Sequence, residues 1–98
     1  MRTMLLVELD NTAGSKAIAD GTMGKSMEEV LSMLKPEAAY FYPHNGHRAM
    51  TLVVDAPDES SLVTMCEPFW TQLNAKVEVI PCMSADDLRG GLSRLGER

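Results

Sequence analysis

The alternation of apolar and polar residues predicts four β-strands in this chain. Each segment is short and rich in β-branched, aromatic or aliphatic residues, and the four are Thr3 to Leu9, Ala38 to Tyr42, Arg48 to Asp55 and Lys76 to Ile80. The dipeptide Asn45-Gly46 separates the second segment from the third, and it favours a two-residue hairpin because both turn positions need positive φ angles. Pro43 has no amide hydrogen to donate, so the second strand is predicted to lie at a sheet edge.

Helical spacing of apolar residues predicts helices between these strands and after the last one. The first helical region ends before Pro36, because the residue that precedes a proline avoids helical backbone angles. The glycine-containing stretch Ala19 to Thr22 predicts a kink or a break within that region. A second helix is predicted to open at Pro57-Asp58, and Ser84 to Asp87 has the pattern of a capping box. The terminal helix that follows carries an apolar face of Leu88, Leu92 and Leu95.

This order of elements, β-α-β-β-α-β with a terminal helix, is that of the ferredoxin-like α+β fold. We therefore predict a single domain over residues 1–98, with a four-stranded antiparallel sheet in the order 4-1-3-2 and both long helices on one face. Because side chains alternate along a strand, one face of the sheet can turn an apolar set toward the helices. That set is Leu5, Val7, Phe41, Leu52, Val54, Val77 and Val79.

The opposite face of the predicted sheet is mixed in character. Its residues are Met4, Leu6, Glu8, Tyr40, Tyr42, Ala49, Thr51, Val53, Lys76, Glu78 and Ile80. Such a face is too apolar to leave in water on a small domain. A second copy that lays its own sheet face on this one would cover it, and we predict such a homodimer with two-fold symmetry. The alternative is that a ligand and the C-terminal helix share the task.

Charge and composition narrow the range of partners. Nine basic residues stand against fourteen acidic ones, which gives a net charge of −5, so we expect no nucleic-acid partner. The apolar run near the N-terminus has only four residues, short of the roughly 7 to 15 that an export signal needs, and we expect no membrane partner. Cys66 and Cys82 lie far apart in the sequence. We interpret them as buried thiols of a protein in a reducing cytoplasm.

Several short segments carry a resemblance that runs over nearly the whole chain. They are Lys35-Pro36-Glu37-Ala38-Ala39-Tyr40-Phe41, Glu67-Pro68-Phe69, Leu73-Asn74-Ala75 and Ala85-Asp86-Asp87-Leu88. With them the chain resembles a group of small actinobacterial proteins of unassigned function within the dimeric α/β-barrel superfamily. The resemblance implies the ferredoxin-like fold and the pairing of two subunits. It implies no activity, because the superfamily includes cofactor-free oxygenases, haem-degrading enzymes, muconolactone-type isomerases, chlorite-dismutase-like proteins and regulators.

Glu8 and Glu78 are the candidate catalytic residues. The predicted strand order places them on neighbouring strands with the same face outward. Two carboxylates within about 6 Å raise each other's proton affinity, as general acids and bases require. The alternative is that Lys76, Arg48 or a cation of the partner subunit pairs with one of them.

Tyr40, Tyr42, Thr51 and Arg48 are the candidate ligand-binding residues. The tyrosine rings share the outward face with Thr51, and their hydroxyl groups can donate hydrogen bonds to a ligand. Arg48 begins the third strand near the same rim, where its guanidinium suits an anion. The alternatives are interface contacts for the tyrosines and a plain surface charge for Arg48.

No motif of the chain specifies a metal or a cofactor. His44 and His47 flank the hairpin turn without a nearby carboxylate or cysteine, so we predict no metal site and no cofactor. The function expected is that of a homodimer with a partly apolar cleft between the sheets for a small organic ligand. The alternatives are a small cofactor-free enzyme of the monooxygenase or isomerase type, which would use a cleft carboxylate and a tyrosine, and a purely structural or regulatory dimer.

Overall fold

The structure is a computed structural model that describes residues 1–96. It is an α+β fold with one four-stranded antiparallel sheet and four helices in that range. In chain order the elements are β1 (Arg2–Glu8), α1 (Asn11–Ala19), α2 (Thr22–Leu34), β2 (Ala38–His44), β3 (His47–Asp55), α3 (Ser61–Leu73), β4 (Lys76–Pro81) and α4 (Ala85–Gly96).

The sheet has the strand order β2-β3-β1-β4, which is the predicted order. β1 therefore pairs on both sides, with Leu6 opposite Thr51 of β3 and opposite Glu78 of β4. The strand that contains Pro43 lies at the edge, as its missing amide donor requires. Asn45 and Gly46 have φ angles of 53° and 76°, which confirms the predicted two-residue turn.

The predicted break in the first helical region is confirmed. α1 ends at Ala19 and α2 begins at Thr22, and Gly21 between them has a φ of 78°. The carboxylate of Asp20 accepts hydrogen bonds from the Thr22 amide at 3.0 Å and from its hydroxyl at 2.6 Å. These bonds hold the pKa of Asp20 below its ordinary value. The resulting order, β-α-α-β-β-α-β-α, differs from the predicted one by this division.

The next helix starts later than predicted. α3 begins at Ser61 and not at Pro57-Asp58. Asp58 forms a turn instead, because its carboxylate accepts hydrogen bonds from the Ser60 hydroxyl at 2.8 Å and from the Ser61 amide at 2.9 Å. An aspartate that accepts from the amide three residues ahead acts as a helix cap does, and a capping residue lies outside the helix that follows it.

The hydrophobic core lies between the two central strands and helices α1, α2 and α3. Its most deeply buried members are Leu5, Val7, Leu52, Val54, Cys66 and Phe69. Phe41 and Val79 lie opposite Met50 and Leu5, so they share the core side of the sheet as predicted. They stay 56% and 38% exposed. No residue of β2 or β4, the two edge strands, is fully buried.

The terminal helix α4 is joined to the sheet by hydrogen bonds and charge. The capping box is confirmed, since the Asp87 carboxylate accepts from the Ser84 amide at 3.0 Å and the Ser84 hydroxyl accepts from the Asp87 amide at 3.1 Å. Hydrogen bonding of Ser84 to the carboxylate, from its amide first, holds the pKa of Asp87 below its ordinary value. Arg2 of β1 donates to Asp87 at 3.0 Å and to Glu37 at 2.5 Å.

Beyond its first turn α4 has little contact with the rest of the subunit. None of its described residues is buried. Leu88, Leu92 and Leu95 are 50%, 56% and 53% exposed. The molecule measures 57 × 26 × 18 Å, and its radius of gyration of 15.8 Å exceeds the roughly 12.6 Å of a compact chain of this length.

Replacing Gly46 with alanine should destabilise the subunit by roughly 1–2 kcal/mol, because only glycine adopts its positive φ without a steric cost. The matched control is Gly24→Ala. Gly24 lies in α2 with open space around it, so alanine should stabilise the subunit there by up to about 1 kcal/mol. Urea unfolding monitored by circular dichroism measures both changes. Equal effects of the two substitutions would contradict the turn geometry.

Candidate functional site

The sheet face opposite the core, here named the open face, carries most of the candidate site residues. The strand register places on it the residues that the sequence predicted, from Met4 in β1 to Ile80 in β4. Along β1 these side chains are partly exposed, whereas the alternate side chains are buried. Tyr40 is 68% exposed. Within residues 1–96, no helix covers this face in the way that α1, α2 and α3 cover the other one.

The open face is apolar at one end and polar at the other. Met4 lies opposite Val53 and Ile80, so three apolar residues form a row across the sheet. At the other end of β1, beside the hairpin, a depression of about 130 Å³ has a partly polar lining. Its polar residues are Glu8, Tyr42, His44, Asn45, Lys76 and Glu78. The face can therefore hold a molecule with an apolar part and a hydrogen-bonding part.

Tyr42 and Thr51 meet on this face. Their hydroxyl oxygens are 2.5 Å apart, so one donates a hydrogen bond to the other. The Tyr42 ring also contacts the His44 ring edge to face, with centroids 6.4 Å apart. Ala49 lies opposite Tyr42 and is small enough to leave room beside the phenol. The Tyr42 hydroxyl is therefore held in place at the wall of the depression.

The structure brings Glu8 and Glu78 to the same depression. Glu8 lies opposite Lys76, and Glu78 lies opposite Leu6, so the two carboxylates occupy diagonal positions on neighbouring strands. Diagonal neighbours have Cα atoms roughly 7–8 Å apart, within reach of long side chains. Asn45 of the turn donates a hydrogen bond to Glu8 over 3.5 Å. Among residues 1–96 neither glutamate has an ion pair with Lys76.

Arg48 lies on the other side of the sheet from the remaining candidate ligand residues. Tyr40 is opposite Thr51, which places both on the open face. Arg48 has the opposite orientation, and its Nη1 donates to the Ser15 hydroxyl of α1 at 3.3 Å. The structure thus brings Tyr40, Tyr42 and Thr51 together and separates Arg48 from them.

Sequence reasoning did not include His44, Asn45 and Lys76 among the candidate site residues. The sequence does contain a signal for His44. A two-residue turn fixes the register of a hairpin and so places residue 44 on the same face as Tyr42. His47 has a different environment. Its Nδ1 is 2.9 Å from the carbonyl oxygen of Leu9, so this ring atom is bound to the backbone.

In the part of the chain that the structure describes, no cluster of three or more His, Cys, Asp or Glu side chains is arranged to hold a metal ion. None of the described helices has both the length and the apolar character to span a bilayer. Both cysteines are free thiols, and burial raises the pKa of Cys66. Compared with known protein families and with curated proteins, the chain matches no family model and no curated sequence.

Removing the hydroxyl of Tyr42 should destabilise the subunit by about 1 kcal/mol, because the Thr51 hydroxyl then loses its partner. A double-mutant cycle of Tyr42→Phe with Thr51→Val should give a coupling energy of about 0.5–1.5 kcal/mol. The control is Tyr40→Phe, since the Tyr40 ring is largely exposed and should change stability by less than about 0.5 kcal/mol. Additive effects in the cycle would contradict the hydrogen bond.

Proposed function

We propose that the protein is a homodimer of ferredoxin-like subunits whose open faces pair and enclose a partly apolar cleft for a small organic ligand. The observation that carries the proposal is the apolar part of the open face, which no described helix of the subunit covers. Exposed apolar patches of more than a few hundred Å² mark interaction sites on soluble domains. In a dimer with two-fold symmetry the same face of each copy forms the interface, so one apolar patch would cover the other.

The terminal helix supports the same arrangement. Leu88, Leu92 and Leu95 follow one another at helical spacing, so they form a single apolar stripe along α4. All three are about half exposed in the subunit. The ion pair between Arg2 and Asp87 sets the direction in which the helix leaves the sheet. In the proposed dimer this stripe contacts the second copy.

The size of the depression on the open face supports a ligand site that two subunits share. At about 130 Å³ it is smaller than the roughly 300 Å³ or more of ordinary small-molecule sites. A facing open sheet supplies the second wall. The cleft then presents Glu8, Glu78 and Tyr42 at its polar end and the row around Met4 at its apolar end. We place this dimer in the cytoplasm, where its two free thiols persist.

A second candidate function is a cofactor-free enzyme of the monooxygenase or isomerase type. The observation that favours it is that Glu8, Glu78 and Tyr42 line one depression. A carboxylate there can remove a proton from a substrate, and the phenol can donate a hydrogen bond to the enolate or phenolate that results. A third possibility, a structural or regulatory dimer, requires a cleft filled by side chains.

Placing a charge at the centre of the open face should abolish the dimer. We expect Val53→Glu to sediment as a monomer under conditions in which the unmodified protein is a dimer, because an unpaired carboxylate would be buried at the interface. The matched control is Val63→Glu. Val63 lies on α3 and is 60% exposed, and this variant should remain a dimer.

The contribution of α4 has a separate readout. Leu92→Ser should weaken the dimer at least tenfold, since burying a leucine contributes about 1.5–3 kcal/mol and 1.4 kcal/mol is tenfold in affinity. The unfolding midpoint of the isolated subunit should not change, because Leu92 is 56% exposed there. Analytical ultracentrifugation at several concentrations measures the affinity. An unmodified protein that is monomeric throughout would overturn the proposal.

Native mass spectrometry of protein purified from cells should show a dimer with additional small-molecule mass. Glu8→Gln should reduce the fraction of loaded dimer several-fold, while Glu29→Gln on the exposed surface of α2 should not. For the enzyme alternative, the released compound should be converted by the unmodified protein and not by Glu78→Gln. A dimer that never carries extra mass would favour the structural alternative.

A further inference from the structure

A second and larger cavity lies on the other side of the sheet. It occupies about 740 Å³ between α2 and the core side of the β2-β3 hairpin. This volume is within the range of roughly 300–1,000 Å³ that small-molecule sites have. The cavity shares Tyr42 and Ala49 with the depression on the open face. None of its lining residues belongs to the apolar row around Met4, so a dimer that pairs through that row leaves the α2 side of the cavity accessible.

The walls of this cavity are largely apolar. Met23 and Met27 are four residues apart on α2, so they lie on the same side of that helix. Phe41 and Met50 lie opposite each other on β2 and β3 and form the other wall. Phe41 faces the core side of the sheet, lines the cavity and is still 56% exposed. Thioether side chains adapt to ligands of different shapes.

Arg48 supplies a positive charge at the edge of the cavity. It lies two residues before Met50 on the same face of β3, and its side chain crosses α1 at Gly14. Its guanidinium donates to the Ser15 hydroxyl at 3.3 Å, and within residues 1–96 it has no ion pair with a carboxylate. By contrast, Arg2 and Arg89 each bind an aspartate or a glutamate. An arginine without such a partner can accept the carboxylate of a ligand.

We propose that this cavity binds a monocarboxylic acid with an apolar body, with the carboxylate on Arg48 and the body between the methionines of α2 and Phe41. The single cation at the cavity and the net charge of −5 favour an anion of one charge over a phosphate of two. The methionine and phenylalanine walls favour an aliphatic or aromatic body over a sugar. The Ser15 hydroxyl accepts a hydrogen bond from the guanidinium and so helps to hold it in place at the edge of the cavity.

The methionines that line the cavity give a direct test of where the acid binds. We expect decanoate, added to the full-length protein with ¹³C-labelled methionine methyl groups, to shift the NMR signals of Met23, Met27 and Met50. The signal of Met4 should stay unchanged, because Met4 lies on the open face. Shifts of Met4 alone would place the acid in the cleft between the sheets and would overturn the proposal, as would saturating decanoate that shifts none of these signals.

Substitutions can separate the contribution of the Arg48 charge to binding from the contribution of the apolar walls. Arg48→Gln should weaken decanoate binding at least tenfold and leave the affinity for 1-decanol within twofold, whereas Arg94→Gln on α4 should change neither. Phe41→Ala should weaken both probes. Equal decanoate affinity in the unmodified protein and in Arg48→Gln would overturn the role of the guanidinium. The sedimentation of the same samples reports the dimer separately, so failure of this proposal and failure of the proposed dimer give different results.

Discussion

The pairing of β1 with a strand on each side is the constraint on which the rest of this structure depends. Leu5 pairs with Leu52 and with Val79, and every other residue of β1 turns to the same side. A shift of one residue in this register would move Leu5 and Val7 into water and bring Leu6 and Glu8 into the core. The residues of the open face are therefore determined by the same pairing that buries the core.

Much of this fold was predictable because its signals are local. Asn45-Gly46 specifies its turn through positive φ angles, and Ser84 with Asp87 specifies a helix start through reciprocal hydrogen bonds. The alternation along β1 then separates core from surface. Each of these features depends on a few neighbouring residues, so one sequence is enough to identify it.

Apart from the start of α3, the features that were missed depend on contacts between residues that are far apart in the sequence. The late start of α3 follows from Asp58, whose side chain accepts from the Ser61 amide as a capping residue does and therefore lies outside the helix. Phe41 stays 56% exposed on the core side of an edge strand, and no periodicity encodes how fully helices cover such a strand. Arg48 belongs to the core side of β3 by parity, but only the three-dimensional structure shows that its side chain reaches Ser15. The candidate site was thus predictable as a face of the sheet, and the cavity behind that face was not.

Arg2 gives the position of α4 a sensitivity to salt that differs from that of the apolar surfaces of the subunit. It holds α4 through Asp87 and the start of β2 through Glu37, and all three side chains are partly exposed. Exposed ion pairs weaken as ionic strength rises, because the screening length falls from about 10 Å at 0.1 M salt to about 3 Å at 1 M. Contacts between apolar surfaces do not weaken in this way. High salt should therefore loosen the hold of Arg2 on α4, while the leucines along this helix would retain their affinity for an apolar surface.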